Sequence, residues 1–549
     1  MLKNQVFLKQ CKARCFTPPP PVGNRSKPTG LVLALIAAFV LFSACRSGNN
    51  AEEIIEIIDG ANEPPAVPTV AITVDSDYEG AITLKYAEKP TSTSTKPISG
   101  SIADSGIVQL ASYPPRGALV VSIEVGTNPP IYIGRLIGSS AISLKLKLNN
   151  SGNLELRPAD SGVIIPIGTY SEFQLIRADA GTLGGSYIQE ADIDLMGNAG
   201  LGVPDWEPVG TDTAPFTGNF DGDGKQIKRL YINDDTRSSV GLFGYSAGQT
   251  SLANIHIASG SVTGDYYVGG ILGYNNNSDV GTISNCSNGA AITGKSRVGG
   301  VVGHIYNYKF AISDCYNSGE VKGDDTSGSG GVGGVVGDSR AEIIRCYNLG
   351  KVDSTATSSN TATGGVAGRL SSHMLACFNA GDVTSNSANN TGGLVGMFTG
   401  QGRTLLRMTA SYNSGNVNGA GDCTGGLIGN MGNVIEGAGC DHKIIACYNS
   451  GNVIGPANDK THSLVGAALI FGGTVTYTAC YWKADTYTSD DTYGWPNADA
   501  NAGKFTTAYF TPSTSDSAEW GTGQGTASGT YWKEGTTNGS MLPKLWYEK

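Results

Sequence analysis

Histidine is scarce in this chain, five residues in 549. None of His256, His304, His373, His442 or His462 stands in a His-Glu-x-x-His pair or beside a cysteine at metal-ligand spacing. That excludes the zinc-protease arrangement, in which two imidazoles one helical turn apart hold the ion. Charge is thin as well, at 15% of residues, against about 25% in ordinary domains. Long amphipathic helices with charged outer faces are therefore not expected. The formal net charge is −10, and six basic residues (Lys3, Lys9, Lys12, Arg14, Arg25, Lys27) precede Cys45 with no acid among them. Removing those six charges from −10 leaves −16 for the rest of the chain, an acidic balance that argues against nucleic acid as a partner.

Glycine, by contrast, is abundant at 78 residues, roughly twice its usual share of about 7%. With plentiful Ser, Thr and Asn, this favours many tight turns and short strands over helices. The N-terminus reads separately. A basic stretch ending at Lys27 leads into the apolar run 31–42, the length of a secretory core and too short for a confident membrane span. The run closes on Leu41-Phe42-Ser43-Ala44-Cys45, which resembles a bacterial lipobox and implies that residues 1–45 are a signal peptide ending at a lipidated Cys45. Residues 46–67, acidic and then Pro-rich, read as a flexible tether.

Internal repeats decide the architecture. A Gly-bracketed apolar core recurs eight times from Val240-Gly-Leu-Phe-Gly244 through Gly299-Gly-Val-Val-Gly303 to Ser463-Leu-Val-Gly466. Its closing glycines step by 28 to 37 residues, so the period is near 32 with variable loops. A second element alternates with it: Cys286-Ser-Asn-Gly289, Cys315-Tyr-Asn-Ser-Gly319, Cys346-Tyr-Asn-Leu-Gly350, Cys377-Phe-Asn-Ala-Gly381, Ser411-Tyr-Asn-Ser-Gly415, Cys447-Tyr-Asn-Ser-Gly451 and Cys480-Tyr-Trp482. Each repeat thus predicts two short strands and two turns. Stacking such units buries one row of Val, Ile and Leu against the next.

These two elements closely resemble the GLUG repeat family of bacterial surface proteins. The resemblance reaches upstream to Gly168-Thr-Tyr-Ser-Glu172 and downstream to Leu542-Pro-Lys-Leu-Trp546. It implies an all-β fold, a right-handed parallel β-helix (solenoid), together with a surface location and an adhesive or binding role. Residues 161–239 are then opening coils, 240–482 the GLUG-type repeats and 483–549 a C-terminal closing segment. Residues 68–160, with short alternating strands at 70–74, 82–86, 119–123, 131–133 and 142–148, suggest a separate small β-sandwich-like domain.

Eight cysteines follow Cys45. Six of them hold one slot of successive repeats and should stack with parallel Cβ vectors about 4.8 Å apart, whereas a disulfide prefers converging Cβ atoms about 3.5–4.5 Å apart. They are expected to be buried free thiols, with Ser411 in the same slot consistent with a role set by size. Cys423 and Cys440 fall outside that ladder and form a candidate disulfide.

Chemical motifs give little. Gly289-Ala-Ala-Ile-Thr-Gly-Lys295-Ser296 satisfies the Walker A spacing, but no helical pattern follows it and the glycines belong to the repeat. Gly244-Tyr-Ser246-Ala-Gly248 has nucleophile-elbow spacing without the strand-to-helix context. Asn219, Asp221 and Asp223 resemble the start of a calcium loop, although Leu230 stands where the bidentate acid belongs, and a turn capped by Asp is the simpler reading. No catalytic residue, cofactor or metal ligand is assigned.

The expected function is a lipid-anchored adhesin or binding protein at the outer membrane or cell surface. Its partners would be the membrane through the anchor and a host protein, matrix or glycan. Exposed aromatics that can stack on sugars or anchor protein interfaces are Tyr266, Tyr267, Tyr306, Tyr308, Tyr493 and Trp495. The alternatives are a polysaccharide lyase or hydrolase on a β-helix, and a passive structural stalk.

Overall fold

The computed structural model describes residues 70–483 apart from short loops, together with the strand pieces Ala502–Phe505, Trp532–Lys533 and Lys544–Leu545. Cys45, Cys440, Tyr493 and Trp495 lie outside the described residues. Residues 69–549 form one compact unit.

From residue 164 onward the chain winds as a parallel β-solenoid of about eight turns. The coil 281–305 shows the plan. It makes five short strands, Gly281–Ser284, Ser287–Asn288, Ala291–Gly294, Ser296–Gly299 and Val302–Ile305, not the two the repeat pattern predicts. Each pairs in parallel with its counterpart one coil on, so five sheets, numbered here in that order, run the length of the molecule. Two-residue strands such as Tyr316–Asn317 are too short to leave any period-2 pattern, which is why only the longer apolar pieces are visible in the sequence.

The interior repeats with the coil. In one turn Ile312, Cys315, Val321, Val335 and Val336 are all fully buried, and each meets its equivalents above and below. Burying an aliphatic side chain of this kind contributes about 1.5–3 kcal/mol, so every added coil extends a continuous core. Cys286, Cys315, Cys346, Cys377, Cys447 and Cys480 are buried free thiols, as the slot argument expects. Each thiol donates to the carbonyl two residues earlier, for example Cys315 to Ser313 at 3.1 Å. Cys423 is buried at the start of a different strand, Cys423–Gly425.

A solenoid needs its open ends covered. Here the helix Tyr170–Leu175 plugs the N-terminal mouth. Thr169 caps it, accepting from the Glu172 N–H at 3.2 Å, while the Glu172 carboxylate accepts from the Gly168 N–H at 2.8 Å. This reciprocal cap aims Phe173 inward, where it stacks on Phe220 at 4.9 Å and meets Trp206 edge-on. The preceding domain is antiparallel in its larger, five-stranded sheet; the smaller sheet pairs Val70–Asp75 in parallel with Ile142–Leu148. Strand Leu119–Val125 shows how it is joined on. Val120, Ile123 and Val125 face the domain's own core, while Leu119 and Val121 enter the solenoid core. The domain read as separate in sequence therefore shares one compact unit with the coils.

Candidate functional site

Two columns of side chains run outside the coils, and both follow from the repeat. In the second sheet the Tyr of each Cys-Tyr-Asn element lands directly over the next. Tyr316, Tyr347, Phe378, Tyr412 and Tyr448 stack at 4.6 to 5.1 Å with planes within 3° of parallel. Leu545 of the hairpin Trp532–Lys533 and Lys544–Leu545 is fully buried in one cluster with Phe378, Tyr412, Tyr448 and Tyr481. The residue preceding each Cys or Ser411 slot has positive φ, and its identity changes along the solenoid. It is polar in the early coils (Asn285, Asp314, Arg345, with Asn254 likewise before Ile255) and alanine in the later ones, which share a buried cluster with Leu545 (Ala376, Ala410, Ala446, Ala479).

The fourth and fifth sheets build the second column. The residue just after each core's closing glycine forms one register row, Tyr245, Tyr274, His304, Asp338 and Arg369. The neighbouring row contributes Tyr267 and Arg297, both in the left-handed region at φ 59° and 54°. A bulky residue held there costs on the order of 1–2 kcal/mol, so this strain at Tyr267 marks a place where the backbone aims a side chain. Its ring stacks on Tyr274 at 4.4 Å, Tyr245 meets Tyr274 edge-on at 5.1 Å, and His304 lies 5.2 Å beyond Tyr274. Arg297 sits over Tyr267 at 5.3 Å and its Nε is 3.4 Å from the Asp338 carboxylate. Arg340 covers Tyr306 at 3.7 Å and approaches Tyr308 at 5.5 Å. Tyr245, Tyr267 and Tyr274 line a cleft of about 480 Å³ with Asp212, Arg237 and Ser239.

The electrostatics follow from packing. Burial pushes the Tyr274 hydroxyl up to about 12, with Tyr267 and Tyr245 adding to the shift, so it stays a neutral donor. Burial likewise lowers His304 to about 4; Asp338 opposes that and Arg297 and Arg340 reinforce it. The face therefore presents neutral aromatic surfaces rimmed by guanidinium groups and by the carboxylates of Asp212 and Asp338, suited to stacking and hydrogen bonding.

Of the sequence-singled aromatics, Tyr267 and Tyr306 flank His304, Tyr308 joins through Arg340, and Tyr266 lies 6.3 Å from Tyr267. Tyr245, Tyr274, His304, Arg297 and Arg340 were not singled out. Aligning the repeats on their closing glycines would have placed the first three in one row.

The other candidates sit in structural roles. Asp221 accepts from the Asp223 N–H at 2.9 Å and from Asn254 at 2.8 Å, Asp223 pairs with Lys225, and Asn219 donates to Ser186. Those carboxylates cap a turn. Lys295 of the Walker-like segment pairs with Asp265 at 2.8 Å, and the segment runs through strands Ala291–Gly294 and Ser296–Gly299. Ser246 is fully buried and bonded to Asn275 at 3.0 Å. Among the described residues no His, Cys, Asp and Glu cluster is arranged to hold a metal ion.

The family model for the GLUG motif matches residues 294–322, one coil of the solenoid. Residues 294–322 thus carry a GLUG motif. Two relatives share parts of it. Halomucin of Haloquadratum walsbyi is 34% identical over 146 residues, which are 25% of this chain and 2% of halomucin. A protein of Evansella cellulosilytica, provisionally called a Gly-rich membrane protein, is 36% identical over 75 residues, 14% of this chain and 8% of that one. The matches thus span a small fraction of either relative's length. Among solved structures, one described provisionally as an immunoglobulin A1 protease of Bacteroides ovatus aligns at TM-score 0.37 and 17% identity, covering 71% of this chain and 94% of that one.

Proposed function

We propose that this GLUG-motif protein is a lipid-anchored surface protein that binds a glycan, matrix or host-protein ligand on its tyrosine and arginine face, without turnover. The observation that carries this reading is Tyr267, held in a strained left-handed conformation and stacked on Tyr274 at the wall of an open cleft. Aromatic rings of this kind offer large, rigid contact area at low entropic cost, and the adjacent guanidinium groups supply directional donors. Relatives named halomucin and a membrane protein support a location at the cell surface. The lipobox-like sequence ending at Cys45 supports anchoring there.

The test is a glycan and extracellular-matrix array probed with the protein, run beside an assay for released sugar products from any hit. Saturable binding without product is the expected result. Product release would overturn the binding reading in favour of an enzyme, and silence across the array would leave a structural stalk. Anchoring is tested by fatty-acid labelling in cells, with loss of label expected in Cys45→Ala.

A further inference from the structure

The stack of rings in the second sheet ends abruptly at Tyr316. Its next neighbour in register is Ser287, and the one after that is His256. Two coil steps of about 4.8 Å separate Tyr316 from His256, so the small serine leaves a gap about one ring deep between them. A cleft of about 440 Å³ opens there, lined also by Gln226 and Ser318. Buried Ser287 also lines it, its hydroxyl 2.8 Å from the His256 Nδ1. Tyr316 and His256 are both half-buried, and the Tyr316 ring is covered only on its Tyr347 side by another ring of the ladder.

We propose that this gap is a second binding site, separate from the Tyr267 cleft, and that it takes one neutral hexopyranose residue of a glycan. The chemistry selects the class. A sugar ring has the thickness of the missing rung, an apolar C–H face to lie on Tyr316, and hydroxyl edges for Ser287, Gln226 and Ser318. No lining residue is an acid or a permanent cation, so an ionised sugar would find no counter-charge. Burial lowers the His256 value, which keeps its imidazole neutral near pH 7 and leaves a ring nitrogen for a hydroxyl.

The test uses saturation-transfer NMR with the full chain and a panel of methyl glycosides of neutral hexoses, followed by titration of the best one. The decisive variant is Ser287→Tyr, which supplies the residue that the next two repeats carry at this rung and is expected to fold with an unchanged melting temperature. It should weaken sugar binding at least tenfold by filling the gap, and Tyr316→Ala should do the same by removing the platform. Ile454→Ala, at an exposed position in neither cleft, should leave this binding unchanged. Unaltered affinity in Ser287→Tyr overturns the proposal. So does a panel in which no neutral hexose binds while a glucuronide or an aromatic peptide does.

Discussion

The side-chain amide carbon of Asn317 lies 2.3 Å from the point where a Cβ on Gly300 would stand. The two halves of the repeat are thus one device: the Gly-Gly of the apolar core leaves the space that the Asn of Cys-Tyr-Asn fills from across the coil. The same pairing recurs at Gly334 with Asn348, Gly365 with Asn379, Gly393 with Asn413 and Gly426 with Asn449.

Gly334→Ala should therefore be strongly destabilising. Its added methyl would meet the Gly365 carbonyl at 2.1 Å and Asn348 at 2.2 Å, both held by coils on either side. Overpacking a rigid core costs about 1–3 kcal/mol, with the upper end expected here. Gly184→Ala, where the nearest atom would be 3.5 Å away, is the control and should be near neutral in the same urea-unfolding series.

The asparagines form a ladder of their own. Asn317 donates to Asn348 at 2.9 Å and Asn348 to Asn379 at 2.8 Å, all fully buried. Asn348→Ala strands the donor on one side and the acceptor on the other. Each orphaned group costs about 1–3 kcal/mol, so this variant should unfold at clearly lower denaturant than a surface control such as Ser318→Ala. The ladder ends at Asn449, where Trp482 takes the next rung.

How much of this was legible in the sequence depended on length of signal. The period near 32, the thiol slot and the strands Gly80–Ala87, Leu119–Val125 and Ile131–Leu136 of the N-terminal sheet were visible because each rests on a repeated residue type or an alternating run. The five-strand coil was not, since strands such as Tyr316–Asn317 contain one fully buried residue and no pattern. Strands Lys96–Ile102 and Val108–Leu110 were missed because Ser, Gly and Pro within and around them mimic a loop. The Tyr267 face was half legible. Its exposed tyrosines stood out singly, but Tyr274 and His304 join them only through register across coils.

The buried thiols predict chemical silence. Burial pushes Cys315, Cys346, Cys377 and Cys447 well above the usual thiol range, and their neighbours in the ladder are other thiols or, between Cys377 and Cys447, Ser411. Folded protein should leave these four unmodified by a thiol reagent at pH 8, and unfolding should release them together. Reaction of any of them in the folded state would contradict the stacking.

His304 should make stability depend on pH. A histidine whose folded value is below its unfolded value of about 6.5 favours the neutral fold. Its contribution is fully present above about 6.5 and is lost as pH falls, because the unfolded chain takes up the proton first. With His304 lowered to about 4, the loss by pH 4.5 is about 2–3 kcal/mol, in the same direction as the smaller contribution of His256. His304→Gln should flatten urea-unfolding stability between pH 7 and 4.5, whereas an unchanged slope would assign it elsewhere.

The most direct test of the account is the affinity of the best array ligand for wild type and for Tyr267→Asn, measured by calorimetry. Asparagine tolerates the left-handed backbone that Tyr267 strains, so the variant should fold with a melting temperature close to wild type. A binding face centred on Tyr267 predicts at least tenfold weaker affinity. Equal affinity in a folded variant would contradict it.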